Sequence, residues 1–335
     1  MNTVYGYLNG SDDEMDRKLL DEVIACLPKD RTLFRYAQDD YALMLLSRIA
    51  GEGAQLAEIR RSVYGRLLGK PRVQRLLADR GNGLVSRSVF DSARMVGQQD
   101  FLLTIGCWNE QHCMYNQTTR RGGNLVLQVN FNAGHDREFM RVVGPSGRGY
   151  FSGRGHPVLR EGDRRYFRHT MAWVRLDVDF EADEVLIEEV QTDWLRDARW
   201  FLRHIEWCAK NKRDRIKDKV VNGSVDEAVN YVRKTLAPYY GIWDEAALTA
   251  AIEFVIDELG IRRIYYHSFE TGNALKKIRY RQPPRSLYTD LPRRFCFGLT
   301  DQVPAMLARS AAVRRKLKRI RQPRWYRLEL QEQKL

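Results

Sequence analysis

The sequence has no uninterrupted apolar run approaching ~18 residues, the length that a membrane-spanning helix requires. We therefore expect no membrane span. Cysteine is also scarce: the chain has five, an odd number, and they are mostly scattered. Because no signal peptide precedes them, this usage is typical of reduced thiols in a cytoplasmic protein.

Metal-ligand spacing is missing as well. Cys107, His112 and Cys113 lie close together, but no second Cys-x-x-Cys or His pair completes the ligand set of a structural zinc. We therefore expect no metal site.

The segment 144–155 contains five glycines but lacks the Lys-Ser/Thr that follows a phosphate-binding loop. Its backbone N–H groups, together with Arg148 and Arg154, are candidates for binding the phosphate of a substrate or cofactor. The alternative is a flexible surface loop, which would act as a lid if it is functional.

Acidic residues are outnumbered, with 43 Asp and Glu against 56 Lys and Arg and a net charge of +13. A positive surface favours anionic partners such as nucleic acid, acidic lipid or phosphorylated cofactors. The stretch from Gln302 to Leu328 has nine basic residues and no acid. Cations beside aromatic rings suit RNA or single-stranded DNA, and the alternatives are an acidic protein partner or a solvated face. The candidate nucleic-acid-binding residues are Arg314, Arg315, Lys316, Lys318, Arg319 and Trp325.

The order of the patterns predicts an α+β fold. Residues 1–98 are expected to form a helical region, 99–300 a mixed α/β domain and 301–335 a basic helical tail. The short basic helices of the first region resemble a helix-turn-helix DNA reader, and the alternative is a helical cap with solvated arginines. The helical segments predicted there are 12–27, 39–50, 55–68, 71–79 and 84–96.

The most informative stretch reads VLIEEVQTDW and begins at Val185. At the strand period of two, Val185 and Ile187 share a face with the polar residues Glu189, Gln191 and Asp193. A face that opens with aliphatic residues and closes with acids either enters a polar pocket or runs out into water, and both interpretations stay open.

Two further strands are predicted beside this one. The strand 172–180 precedes it after a short acidic link, which indicates an antiparallel hairpin. A helix that ends at Gly260 leads into the strand 261–268. Helix, glycine and strand are the second half of a β-α-β crossover, so we expect 261–268 to run parallel to 185–193.

Parallel pairing predicts that Glu189 and Asp193 share a pocket with His267, with Ser268 beside it and Glu188 on the opposite face. These residue types could perform acid–base chemistry. Alternatively, His267 is a hydrogen-bonded structural residue, and Asp193 caps the helix that follows.

A resemblance to a known family rests on this unit. The order strand–strand–helix–strand–helix, with "ALTAAIEFVIDELGIRRIYYHS" and "SLYTDLPRRFCF", resembles the core of the GNAT superfamily of N-acyltransferases over about 170–300. Leu287-Tyr288 and Cys296-Phe297 correspond to the family's "LYxxLGF" segment, with extra residues between them and Cys296 in place of the glycine.

The resemblance implies roles for individual residues. Tyr288 would be the general acid that protonates a departing thiolate, since the pKa of a phenol lies near that of a thiol. Glu189 or Asp193 would be the base that accepts the amine proton. Acyl-CoA is the implied cofactor, although the family's pyrophosphate motif R/Q-x-x-G-x-G/A does not follow Gln191. Further candidates for binding a substrate or cofactor are Gln191, Trp194 and Ser268.

A second, shorter resemblance concerns EEVQTDW, which is similar to a motif in large polyvalent proteins of phages and other mobile elements. The sequence therefore leads to two functional hypotheses. The first is a GNAT-like N-acyltransferase, or a derived enzyme using the same cleft, acting on a nucleic-acid-associated substrate. The alternative is a non-catalytic nucleic-acid- or partner-binding protein of a phage or mobile element.

Overall fold

A large mixed β-sheet with helices on both faces positions the candidate site. The computed structural model describes residues 14–15, 22–23, 25, 32–78, 83–94, 99–108, 118–143, 151, 168–211 and 224–330. Within these ranges the strands are β1 Glu14–Met15, β2 Thr32–Tyr36, β3 Ala54–Gln55, β4 Leu84–Val85, β5 Gln99–Trp108, β6 Arg121–Gly122, β7 Asn124–Asn130, β8 Thr170–Asp179, β9 Glu184–Gln191, β10 Arg263–His267, β11 Gly298–Thr300 and β12 Trp325–Glu329.

The helices of the described residues are mostly short. They are α1 Asp40–Ala50, α2 Leu56–Arg61, α3 Pro71–Leu77, α4 Arg87–Ala93, α5 Ala133–Val142, α6 Trp194–Lys210, α7 Val225–Asn230, α8 Ala237–Tyr240, α9 Trp243–Glu253, α10 Phe269–Leu275, α11 Asp290–Arg294, α12 Ala305–Arg309 and α13 Ala311–Leu317. A 3₁₀ turn over Val63–Gly69 follows α2, π turns over Tyr231–Thr235 and Phe254–Glu258 extend α7 and α9, and a second 3₁₀ turn covers Arg285–Tyr288.

The main sheet has the strand order β11-β12-β10-β9-β8-β7-β5-β2. Its strands pair antiparallel except for β9 and β10, which run parallel. The predicted hairpin of β8 and β9 and the predicted parallel pair of β9 and β10 are both present. Helix α9 supplies the crossover between them, and Gly260 ends it with a φ of +71°, a conformation that glycine adopts without strain.

The two faces of this sheet carry different cores. Val185 and Ile187 of β9 belong to the larger core, which includes α1, α6 and α9, and we call this side the α9 face. Leu186 and Tyr265 pack with Leu275 on the other side, under α12 and α13, and we call it the α10 face. Alternation along each strand thus buries both faces, as expected of a sheet covered by helices.

The first and last regions differ from the predictions because each contributes a strand to this sheet. Strand β2 lies at one edge and pairs with β5, so the region before residue 99 is not wholly helical. Strand β12 inserts between β10 and β11, so residues 301–335 are not only a helical tail. In β12 the apolar residues Trp325, Tyr326 and Leu328 are buried. The arginines among them in the sequence make this strand look like part of a basic, solvated segment.

Most of the predicted helices before residue 99 are present with shifted ends. The segment 55–68 divides at Ser62, whose hydroxyl accepts a hydrogen bond from the N–H of Tyr64 and starts the 3₁₀ turn. The predicted helix 12–27 lies largely outside the described residues, and Glu14–Met15 form β1 instead, parallel to β6. None of the helices in the described ranges is long and apolar enough to cross a membrane.

Candidate functional site

The two parallel strands separate at the centre of the sheet. Their pairing ends at Ile187 and Tyr266, although β9 itself continues to Gln191. At the same point the register between β8 and β9 shifts, since Leu176 pairs with Ile187 but Arg175 pairs with Glu189. Glu188 is therefore the extra residue of a β-bulge, a feature that re-aims side chains and releases backbone groups from the ladder.

The bulge changes which side chains share a face. Before it, Leu186 and Glu188 lie on the α10 face; after it, Val190 joins the larger core on the α9 face. Glu189 follows its partner Arg175 onto the α10 face. Two consecutive carboxylates thus reach the place where the strands separate, and we call the group Glu188, Glu189, His267, Lys276 and Tyr288 the strand-gap site.

Glu188 is the centre of a buried hydrogen-bond network. Its Oε1 accepts from the N–H of Thr119 at 3.0 Å, and its Oε2 accepts from the Thr119 hydroxyl at 3.0 Å. Nε2 of His267 lies 3.2 Å from the same Oε2 and 2.8 Å from the Thr119 hydroxyl oxygen. Because a carboxylate only accepts, these distances place the imidazole proton on Nε2. Among the residues that the structure describes, none is a hydrogen-bond partner of the buried Nδ1 of His267.

Lys276 closes the network from the end of α10. Its Nζ donates to the backbone oxygen of Glu188 at 2.6 Å and lies 3.8 Å from Oε2 of the same residue. Burial raises the pKa of Glu188, but the hydrogen bond from His267 and the charge of Lys276 outweigh burial and hold that pKa well below its usual range. Burial lowers the pKa of both His267 and Lys276. Glu188 is thus a carboxylate and His267 a neutral imidazole.

The second carboxylate, Glu189, is less enclosed. Its Oε2 lies 3.1 Å from a guanidinium nitrogen of Arg175, and its side chain retains 15% of its accessible surface. Tyr288 is buried close by, with its ring edge-on to Tyr266 and 5.7 Å from Nζ of Lys276. Burial and the charge of Glu189 raise the pKa of Tyr288 well above its usual range, so the phenol keeps its proton.

The predicted placement of Glu188 on the face opposite His267 is wrong, because the two side chains lie 3.2 Å apart. Of the two predicted partners of His267, Glu189 reaches the strand-gap site, whereas Asp193 pairs with Gln191 and Arg196. The parallel register aligns Tyr265 with Leu186 and Tyr266 with Ile187. His267 therefore follows the parity of Leu186 and meets Glu188. The period of two used in the prediction fails at the bulge, which moves Glu189 to the same face as Glu188.

Asp193 and Gln191 hold the start of α6 instead. The Gln191 amide donates to Oδ1 of Asp193 at 2.8 Å, Arg196 pairs with the same oxygen, and the Thr192 hydroxyl accepts from the N–H of Leu195. The Thr192 hydroxyl thus caps one N–H of this helix terminus, and the Asp193 carboxylate adds a negative charge beside it. A pyrophosphate there would meet the negative charge of Asp193, so the residues do not fit the implied binding mode of CoA.

Two other predicted binding residues have structural roles. Trp194 is buried, and its indole N–H donates to the Tyr231 hydroxyl at 3.2 Å within an aromatic cluster. The Ser268 hydroxyl donates to the backbone oxygen of Arg324 at 2.7 Å and accepts from the N–H of Thr271 at the start of α10. Neither side chain belongs to the strand-gap site.

The predicted nucleic-acid-binding set divides in two. Lys316 is turned inward, where Nζ donates to the backbone oxygens of Thr119 at 3.0 Å and Leu275 at 3.1 Å. Trp325 is fully buried in β12, so its ring cannot stack on a base. The other four members lie at the surface: Arg314, Arg315, Lys318 and Arg319.

The remaining candidates cannot be placed. Arg148 and Arg154, like His112 and Cys113, lie outside the described residues. Among the residues that are described, no group of three or more His, Cys, Asp or Glu side chains could bind a metal ion.

Sequence reasoning missed three members of the network. Thr119 follows a stretch without periodicity, and nothing in the sequence links it to β9. Arg175 could have been predicted. It lies in a strand that pairs with an acidic strand, and a cation that is buried there needs an acidic partner. Lys276 lies one residue beyond α10, and only the position of that helix brings its ammonium to Glu188.

Comparisons with models of protein families, with curated proteins and with solved structures return no match to this chain. The geometry of the strand-gap site is therefore the basis for inferring a function.

Proposed function

We propose that the protein is an acyltransferase that moves an acyl group from an activated ester or thioester to an amine in the strand-gap site. One observation carries the proposal: the pairing of β9 with β10 ends beside a bulge, and a carboxylate, an ammonium and a protonated phenol lie together at that point. A base, a positive charge and a hydrogen-bond donor are the groups that acyl transfer requires.

The strand order supports a GNAT-like arrangement. The hairpin of β8 and β9, the helical connection, strand β10 and helix α10 follow the order strand–strand–helix–strand–helix on which the resemblance rests, and this order supports the proposal. The final strands β11 and β12 form an antiparallel pair beside β10, and Tyr288 precedes β11. Because fold alone does not imply chemistry, the assignment of a reaction depends on the side chains.

Glu189 is the base of the proposed reaction. As the amine nitrogen attacks the acyl carbon, the N–C bond forms and Glu189 accepts the amine proton. Arg175 fixes the carboxylate from the neighbouring strand. Glu188 is unsuited to this role, because its oxygens already accept from Thr119 and His267 and its pKa is low. Glu188 instead holds His267 and Lys276 in place.

Tyr288 and Lys276 act on the leaving group. When the C–S or C–O bond breaks, negative charge develops on the departing atom, and the ammonium and the phenol stabilise it. The raised pKa of Tyr288 favours hydrogen-bond donation over complete proton transfer, which modifies the predicted role of a general acid. The departing anion then takes up the proton that Glu189 has accepted, so protons and electrons balance.

The acyl donor is recognised through its acyl end and not through a pyrophosphate, because Asp193 and Thr192 occupy the start of α6. The proposal therefore predicts that a thioester without a nucleotide is as good a donor as the corresponding acyl-CoA.

The assay compares S-acetyl-N-acetylcysteamine with acetyl-CoA, supplies a mixture of primary amines, and detects N-acetylated products by mass spectrometry. Product from either donor that requires Glu189 supports acyl transfer; no product from either donor, or full activity of Glu189→Gln, contradicts it.

A second candidate function is non-catalytic binding of nucleic acid, which the surface cations of α13 and the turn after it favour. Truncation before Arg309 is not a usable test, because it also removes the internal strand β12. Replacing Arg315, Lys318 and Arg319 together by Gln leaves the sheet intact. Weaker binding with a lower salt dependence would assign phosphate contacts to them, since fewer counterions would be released.

A further inference from the structure

The outer face of α6 carries two exposed tryptophans. Trp200 retains 57% and Trp207 47% of its accessible surface, among the highest values of any large hydrophobic side chain in the described residues. With His204 between them, they occupy positions i, i+4 and i+7, which lie on one face of a helix. The opposite face of α6 already packs into the core through Leu195, Ala198, Phe201 and Ile205.

The three rings form an ordered row. The Trp200 and His204 rings have centroids 5.5 Å apart and an interplanar angle of 7°, and the His204 and Trp207 rings are 6.3 Å apart at 18°. The rings are stacked with nearly parallel planes, and a further ring can extend such a stack. We call Trp200, His204 and Trp207 the aromatic row.

Positive charge accompanies the row at helical spacing. Arg203 and Lys210 each lie three residues beyond a tryptophan, and both are exposed. The two acids beside the row, Asp197 and Glu206, are already paired, with Arg196 at 3.5 Å and with Arg233 at 2.6 Å. The face therefore combines stacked rings with cations and little opposing charge.

We propose that the aromatic row is a binding surface for single-stranded nucleic acid. Bases stack on aromatic side chains irrespective of sequence, and neighbouring cations contact the phosphates. An anionic membrane surface would also attract tryptophan and arginine, but helices that insert into membranes carry a continuous apolar face. Here the outward face contains the two tryptophans among polar and charged residues. The proposal is independent of acyl transfer in the strand-gap site.

The test measures fluorescence anisotropy of a labelled oligothymidylate with the full chain, its Trp200→Ala and Trp207→Ala variants, and the double variant. Stacking of one base contributes about 1–3 kcal/mol, so each substitution is expected to weaken binding by at least about fivefold. Leu299→Ala is the control, since Leu299 has a matching exposure of 47% but belongs to β11. Intrinsic tryptophan fluorescence should be quenched by the oligonucleotide in the parent chain and not in the double variant.

Two results would overturn the proposal. One is unchanged oligonucleotide affinity in the double variant, with circular dichroism showing that it is folded. The other is binding to phosphatidylserine vesicles that depends on both tryptophans while the oligonucleotide does not bind. Replacing Arg203 and Lys210 by Gln distinguishes charge from stacking: the proposal predicts a lower salt dependence with retained fluorescence quenching at low salt.

Discussion

Nε2 of His267 lies 3.2 Å from Oε2 of Glu188, and both side chains are fully buried where β9 and β10 separate. Their contact follows from the register of the parallel pair. Thr119 and Lys276 complete the network from outside the two strands. A buried charge that loses its partner destabilises the folded state. The free energy of unfolding therefore reports whether the network is intact.

Glu188→Ala should destabilise the protein by about 3–5 kcal/mol, because Lys276 would then be buried without its counter-charge and His267 without its acceptor. Glu188→Gln keeps the shape and should cost less. Urea denaturation measures both free energies of unfolding. Glu181→Ala is the control, because that side chain is 73% exposed. A loss below 1 kcal/mol for Glu188→Ala would show that the network does not stabilise the fold.

Gly272→Ala in α10 should destabilise the protein, although alanine ordinarily favours a helix. A Cβ at this position would lie 2.9 Å from Cβ and 3.1 Å from Cγ of His267. Relieving that overlap must shift either α10 or the imidazole, at a cost of about 1–3 kcal/mol. Thermal denaturation should give a lower melting temperature for this variant.

The matched control is Gly241→Ala, where an added Cβ would meet nothing within 4 Å. Its melting temperature should stay close to that of the parent chain. If Gly272→Ala proved as stable as this control, the close packing of α10 on His267 would be contradicted.

Acidification should destabilise the fold through His169. Burial lowers its pKa to about 4, with the charge of His135 adding to the effect and that of Asp136 opposing it. Between pH 6.5 and 4 the unfolded state therefore binds more protons at this residue than the folded state, and stability falls as the pH falls. The contribution lost is roughly 2–3 kcal/mol.

Urea denaturation of the parent chain and of His169→Phe at pH 7 and pH 4.5 checks this expectation. Since other groups titrate in both proteins, the informative quantity is the difference between their two pH responses. The parent should lose more stability than the variant. Equal losses would mean that the pKa of His169 is not depressed in the folded state.

The sequence predicted the framework of the site better than its contacts. Periodicity and the Gly260 break were sufficient for the β8–β9 hairpin and for the parallel pairing of β10 with β9. The bulge at Glu188 was not predictable, because nothing in the run Ile187-Glu188-Glu189 marks which residue is inserted. The inserted residue places Glu189 on the same face as Glu188, whereas a strict period of two predicts opposite faces.

Distant contacts were also beyond sequence reasoning. The basic region after residue 301 was predicted as a tail, but the buried Trp325 and Tyr326 make β12 an internal strand. Lys316 belongs to the same charged run, yet it donates to the backbone of Thr119 beneath the strand-gap site. The charged sequence around Lys316 does not indicate this inward hydrogen bond, because its acceptor, Thr119, is 197 residues away in the chain.

The rate of acyl transfer by Tyr288→Phe tests the central claim most directly. Tyr265→Phe is the control, because Tyr265 is equally buried but belongs to the neighbouring cluster. If Tyr288 donates a hydrogen bond to the leaving group, kcat should fall by about 10²–10³ in Tyr288→Phe, with an unchanged melting temperature, and remain near the parent value in Tyr265→Phe. Equal rates in Tyr288→Phe and the parent chain would contradict acyl transfer in the strand-gap site.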